Sequence, residues 1–209
     1  MKIILFGAPG SGKGTQAVVM SDYWHLKKIS LGDILREEVK QDSNLGKEVK
    51  QYMEKGLLVP DELVSRLIEE HITSDAFILD GYPRNLHQAT VLEGIFKKKG
   101  ITVDAFIYLE VDEKAIVDRL SQRRVCKNCG TNYHLKNMPS KKDGICDACG
   151  HELIQRKDDT SAVIKKRWEV FITESKSILD FYKAQDKLVA VDGRGNKDEV
   201  FARVKNKLS

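Results

Sequence analysis

The stretch from Gly7 to Thr15 reads GAPGSGKGT, joining a pliable backbone to one positive charge and two hydroxyls. Glycines let a chain fold closely around an anion, so that amide N–H groups converge on its oxygens, and the amino end of a following helix adds a favourable dipole. Gly7, Gly12 and Lys13 stand at the G-x-x-x-x-G-K spacing of a phosphate-binding loop. In that loop Gly10, Ser11, Gly12 and Gly14 line the phosphates, and Lys13 reaches them as a mobile cation. Position 14 is Gly where Ser or Thr is usual, so the hydroxyl expected at a phosphate or Mg²⁺ falls to Thr15. The chemistry these residues suit is the holding of a nucleoside triphosphate for phosphoryl transfer.

A second constellation is made of thiols. All four cysteines fall at Cys126, Cys129, Cys146 and Cys149, as two C-x-x-C pairs, each followed by Gly. This spacing predicts a tetrahedral Zn²⁺ site, and a closed four-thiolate shell has no open position for chemistry, so the metal is structural. In a reducing compartment such clustering favours metal over disulfides. Four reduced thiols without metal are the alternative.

Carboxylates supply the third set. Asp80 follows the apolar run Ala76 to Leu79, where a carboxylate at the carboxyl edge of a sheet can hold Mg²⁺ or its water shell opposite the phosphate loop. Asp33, in SLGD, is a weaker candidate for the same ion and could instead cap a helix beginning near Ile34.

The elements that must position these residues alternate in type. Lys2 to Phe6 reads as a buried strand entering a turn, with a helix from about Gly12, and Ala76–Leu79, Ala105–Leu109 and Leu188–Val191 are similar apolar runs. Helical spacing recurs over Asp61–Ile72 and Glu113–Leu120. Strands alternating with helices predict an α/β fold, a parallel sheet covered on both faces. Ser30 to Val59 and Arg123 to Asp158 interrupt that alternation as insertions, the second carrying the cysteines.

The 209 residues suit one α/β domain with room for insertions. A formal charge of +4, from 35 basic and 31 acidic residues, is a mild excess rather than a nucleic-acid-binding tail. The amino-terminal apolar run is too short for a signal peptide, and no stretch reaches the length of a membrane helix. The expectation is a cytoplasmic protein with no membrane partner.

Beyond the phosphate loop, LDGYPR runs from Leu79 to Arg84, RRV from Arg123 to Val125 and QRKDD from Gln155 to Asp159. With GAPGSGKGTQA, their order and spacing resemble the adenylate kinases of the bacterial type with a long lid, over essentially the whole chain. The resemblance implies a P-loop nucleoside monophosphate kinase fold. Its core would comprise residues 1–29, 60–121 and 160–209, with an NMP-binding insertion at 30–59 and a zinc-binding lid at 122–159. It implies Mg²⁺-dependent transfer of the terminal phosphoryl group of ATP to AMP, giving two ADP, by a monomer that binds no nucleic acid.

The same match implies roles for single residues. Lys13, Arg84, Arg123, Arg156 and Arg167 would surround the transferring phosphoryl group, where planar guanidinium groups suit phosphate oxygens. Arg119 would lie over the ATP adenine, with Tyr133 and His134 near that nucleotide. Leu31, Arg36, Gly81 and Gln88 would join Arg84, Arg156 and Arg167 around AMP, Gln88 reading the adenine edge. Leu31 stands where the family usually has Thr, and it leaves a UMP/CMP-type kinase as the nearest rival. A more distant alternative treats the ribbon and its Lys127, Lys136, Lys141 and Lys142 as a nucleotide-gated nucleic-acid-binding module.

Overall fold

A computed structural model describes residues 1–41, 43–73 and 75–208. In chain order the elements are β1 (Lys2–Phe6), α1 (Lys13–Trp24), β2 (Lys27–Ser30), α2 (Leu31–Lys40), α3 (Asn44–Glu54), α4 (Asp61–His71), β3 (Phe77–Asp80) and α5 (Leu86–Lys99). They continue with β4 (Ala105–Glu110), α6 (Glu113–Ser121), β5 (Arg123–Cys126), β6 (Asn132–His134), β7 (Leu153–Ile154), α7 (Ser161–Lys183), β8 (Leu188–Asp192) and α8 (Lys197–Leu208).

Five strands form a sheet in the order β2-β3-β1-β4-β8, every pair parallel. Alternating residues of β1 face opposite layers of helices. Ile3 and Leu5 join Ala17, Met20, Val200 and Val204 of α1 and α8, whereas Ile4 and Phe6 join Ile68, Leu92, Phe96 and Ile178 of α4, α5 and α7. Burial on both faces explains why the strand is apolar without alternation. The chain crosses from one side of β1 to the other between β3 and β4, so a crevice opens at the carboxyl ends of these strands, where ligands of such sheets sit.

The sheet has one strand more than the four apolar runs suggest. β2 reads KKIS, with Lys27 and Lys28 exposed at the edge and only Ile29 and Ser30 buried. Its lysines hide the strand pattern. The following insertion is a pair of helices, α2 and α3, capped by Ser30 and Ser43, whose side chains accept the N–H of Asp33 and Gly46. α2 therefore starts at Leu31 rather than near Ile34, and Asp33 lies in its first turn.

Residues 123–158 contain no helix, and β5 pairs antiparallel with β6 on one side and β7 on the other. The buried cluster of this ribbon is Cys126, Tyr133 and Cys146, packed by Cys149 and Leu153, with Val125 of β5 buried besides. So little apolar burial cannot offset the ordering of the segment, and a cross-link or metal is needed to hold it. Among the described residues, no helix is long and apolar enough to cross a membrane.

Candidate active site

The turn after β1 is forced by sequence. Gly7 has φ of +148°, and a Cβ there would lie 2.7 Å from the Leu109 carbonyl oxygen and 2.8 Å from Ser11 Oγ, so only glycine fits. Lys13 opens α1 and its ammonium curls back over the loop, donating to the carbonyls of Gly7 at 2.5 Å and Ala8 at 2.8 Å. Ser11 Oγ is buried with no protein partner. Burial lowers the Lys13 pKa to about 7; Asp80 opposes this, while Arg84, Arg167 and Arg123 add to it.

Asp80 ends β3 and pairs in register with Leu5, which puts it across from the loop. Burial raises its pKa despite Lys13. Gly14 faces it: a Cβ on Gly14 would lie 3.6 Å from Asp80 Oδ2. A larger side chain at position 14 would fill the gap between carboxylate and phosphate loop, and its absence leaves a cradle for a hydrated cation.

One cavity of about 590 Å³ is lined by Gly10, Ser11, Gly12, Lys13, Gly14, Thr15, Asp33, Arg36, Asp80, Gly81, Arg84, Arg119, Arg123, Tyr133, His134, Arg156 and Arg167. That volume suits small-molecule ligands. Its arginines come from α2, the turn after β3, α6, β5, the segment after β7, and α7. Arg123 binds Asp159 through two hydrogen bonds, and Arg167 Nη1 lies 2.7 Å from Asp158 Oδ2. Arg156 donates to Asn132 Oδ1 at 2.8 Å, but its Nε is buried without a protein partner. Burial, together with neighbouring arginines, lowers Arg84 to about 10 and Arg156 to about 9. Both stay charged at neutral pH, and the crowding favours anions.

Asp33 is engaged by cations. Burial works against its charge, yet hydrogen bonding and attraction from Arg36 and Lys28 bring its pKa down to about 2. Its carboxylate fixes the Arg36 side chain.

Arg119 donates to the carbonyls of Ser11, Gly193 and Gly195 at 3.2, 2.9 and 3.4 Å. It thereby ties the phosphate loop to the segment leading into α8, where Gly193, Gly195, Asn196 and the first helical residue, Lys197, also line the cavity. Gln16 strengthens that tie by donating to the Lys197 carbonyl at 2.8 Å. Leu31 and Gln88 are both buried and do not line the cavity. Gln88 Oε1 accepts from Arg84 N–H at 2.8 Å, and its Nε2 donates to Asp61 at 2.7 Å.

Sequence reasoning gave no role to Lys28, Asn132, Asp158, Asp159 or the 193–197 segment. The aspartates lay inside the QRKDD motif, and the demand of buried arginines for counter-charge could have drawn attention to them. Nothing in the sequence pointed to Lys28.

The four cysteine sulfurs all lie within 4.8 Å of one another. Three of the separations are 3.4 Å (Cys126–Cys149), 3.6 Å (Cys129–Cys146) and 3.4 Å (Cys129–Cys149), far beyond a disulfide bond. A tetrahedral Zn²⁺ with four bonds of ~2.3 Å would space its sulfurs by about 3.8 Å. Each pair closes alike: Gly130 and Gly150, both at φ +74°, donate N–H to the carbonyls of Cys126 and Cys146 at 3.1 and 2.9 Å. The donor set fits a tetrahedral, thiophilic metal.

The adenylate kinase family model matches residues 5–187. A curated adenylate kinase of Thermoanaerobacter sp. (strain X514) is 43% identical, across 100% of this chain and 98% of its own length. That of Caldanaerobacter subterraneus subsp. tengcongensis is 43% identical over 100% and 96% of the two chains, and that of Caldicellulosiruptor bescii 44% over 93% and 92%. With this full-length similarity, and a phosphate loop facing a ring of arginines, the chain belongs to the adenylate kinase family of phosphotransferases.

Proposed function

We propose that the chain transfers the terminal phosphoryl group of ATP to AMP, giving two ADP. The observation that carries this reading is the single cavity lined both by the phosphate loop with Lys13 and by Arg36, Arg84, Arg123, Arg156 and Arg167. Transfer from a triphosphate to a monophosphate requires positive charge around both and precise placement, and little covalent help. The acceptor phosphate is already an anionic nucleophile, so no strong general base is needed. Lys13 and the loop amides hold the donor phosphates, Arg84, Arg123, Arg156 and Arg167 neutralise the moving group, and Arg36 binds the acceptor.

Residues 30–59 serve as the acceptor-binding insertion and 122–159 as a lid over the donor. In support, Arg36 reaches the cavity from the first, and Arg123, Asn132, His134 and Arg156 from the second. Arg119 and Gln16 hold the 193–197 segment as a wall of the donor-base site. Gln88 orders the turn carrying Arg84, and Leu31 belongs to the hydrophobic core.

Mg²⁺ fits at Asp80, facing Gly14 and Thr15, where it would offset charge on the donor phosphates. Asp33 acts there through Lys28 and Arg36 rather than as a ligand. Zn²⁺ fits the four thiolates and would hold the ribbon in shape.

The reading is tested by following ATP consumption with Mg²⁺ present and a nucleoside monophosphate supplied or withheld. Formation of two ADP per ATP only in the presence of AMP is expected. ATP hydrolysis at the same rate without any acceptor contradicts the reading.

A further inference from the structure

Tyr133 is the middle residue of β6 and is buried, with 7% of its surface exposed. Its neighbours in the strand, Asn132 and His134, share the opposite face by strand alternation. Asn132 accepts from Arg156, and Lys136 and Asn137 N–H groups donate to His134 Nδ1, which leaves the imidazole proton on Nε2. That Nε2 is buried and has no protein partner. Asn132 and His134 thus face the nucleotide cavity, whose lining Tyr133 also joins.

The Tyr133 hydroxyl lies on the other side, among the thiols. It accepts the N–H of Asp147 at 2.7 Å and sits 3.4 Å from Cys146 Sγ. Cys146 is itself 2% exposed. Because the hydroxyl already accepts from Asp147, its one hydrogen is free to be donated. A thiolate bound to metal carries no proton and can only accept. Four thiolates around one divalent cation hold a net double negative charge, and Cys146 is one of the two that are buried, so a buried donor at its sulfur stabilises that charge.

We propose that Tyr133 is a positioning residue for the metal: its hydroxyl donates to the Cys146 thiolate and couples the nucleotide-facing strand to the cysteine knuckle. The inference rests on the reading that the cysteine cluster holds a metal. Ligand-orienting partners of this kind are worth about 10–100-fold in metal affinity.

The test loads the full chain with Co²⁺ in place of Zn²⁺ and records the sulfur-to-cobalt charge-transfer band, together with metal affinity by chelator competition. In Tyr133→Phe the sulfur loses a donor and becomes more electron-rich. The band is expected to move to lower energy and the affinity to fall about tenfold or more. A second protein carrying 3-fluorotyrosine at position 133 keeps the shape and has a more acidic hydroxyl, so its band is expected to move to higher energy than that of the unmodified protein. A role confined to accepting the Asp147 N–H would lower thermal stability in Tyr133→Phe while the band stayed in place in both proteins. That result overturns the proposal. A chain that binds neither Co²⁺ nor Zn²⁺ overturns both the proposal and the metal reading, whereas tight binding with an unmoved band leaves the metal reading standing and removes Tyr133 alone.

Discussion

Arg123 grips Asp159 with two hydrogen bonds, from Nε to Oδ2 at 2.8 Å and from Nη2 to Oδ1 at 2.5 Å, across 36 residues of sequence. The Asp159 side chain is fully buried, and the pair joins the first strand of the ribbon to the segment that leaves it. A bidentate contact fixes the guanidinium plane as well as its position. The remaining edge of Arg123 is then presented to the cavity in one orientation.

Asp159→Asn keeps the shape and removes the charge. Arg123 is part-buried, and breaking such a pair destabilises by up to about 3–5 kcal/mol, which urea unfolding monitored by circular dichroism would detect. Turnover is expected to fall by up to about a hundredfold, since a guanidinium misplaced by an ångström loses much of its effect on the reacting group. Unchanged stability and turnover would remove the pair from the account.

Lys13 makes nucleotide binding sensitive to pH. In the free protein its pKa is about 7, lowered mainly by burial. Bound phosphates favour the charged form and raise that pKa, so the free ammonium is mostly neutral at pH 8 while the complex holds it protonated. Binding of ATP at pH 8 is therefore expected to take up close to one proton from this group, and at pH 5.5 almost none. Affinity should weaken as pH rises through about 7. Calorimetry in buffers of different ionisation enthalpy measures the uptake directly, and a pH-independent proton balance between those two values would contradict the assignment.

Removing metal from the cysteines should act on the fold before the chemistry. The ribbon's buried cluster is Cys126, Tyr133 and Cys146, two of them cysteines, and a ligand present at a thousandfold its Kd contributes about 4 kcal/mol. For a chain of this size that corresponds to a fall in Tm of about 10 °C on chelation. Turnover at moderate temperature is expected to change less. Loss of activity with an unshifted Tm would instead indicate a metal taking part in catalysis.

Much of this site could be read in the sequence because its parts are local. The phosphate loop, the apolar strands and the paired cysteines each depend on residues a few positions apart, and their geometry follows from spacing. The α/β fold and its parallel sheet followed from the alternation of elements. β2 escaped because half of it is lysine at a solvent-facing edge. Asp158 and Asp159 had no assigned role because their partnership with Arg167 and Arg123 is created by the fold. Gln88 takes its base-contacting role from the family resemblance, and the structure adds partners for its amide in Asp61 and the Arg84 backbone. Those partners are created by the fold and have no pattern in the sequence. Arg119 likewise faces the backbone carbonyls of Ser11, Gly193 and Gly195, which no sequence pattern brings together.

The most direct measurement is the turnover of ATP and Mg²⁺ with AMP, CMP, UMP and GMP in parallel, because it tests at once that the cavity joins a donor to an acceptor and which base the acceptor carries. The account predicts that kcat/KM for AMP exceeds that for each of the others by about a hundredfold or more. A pyrimidine monophosphate phosphorylated as well as AMP, or better, would contradict it.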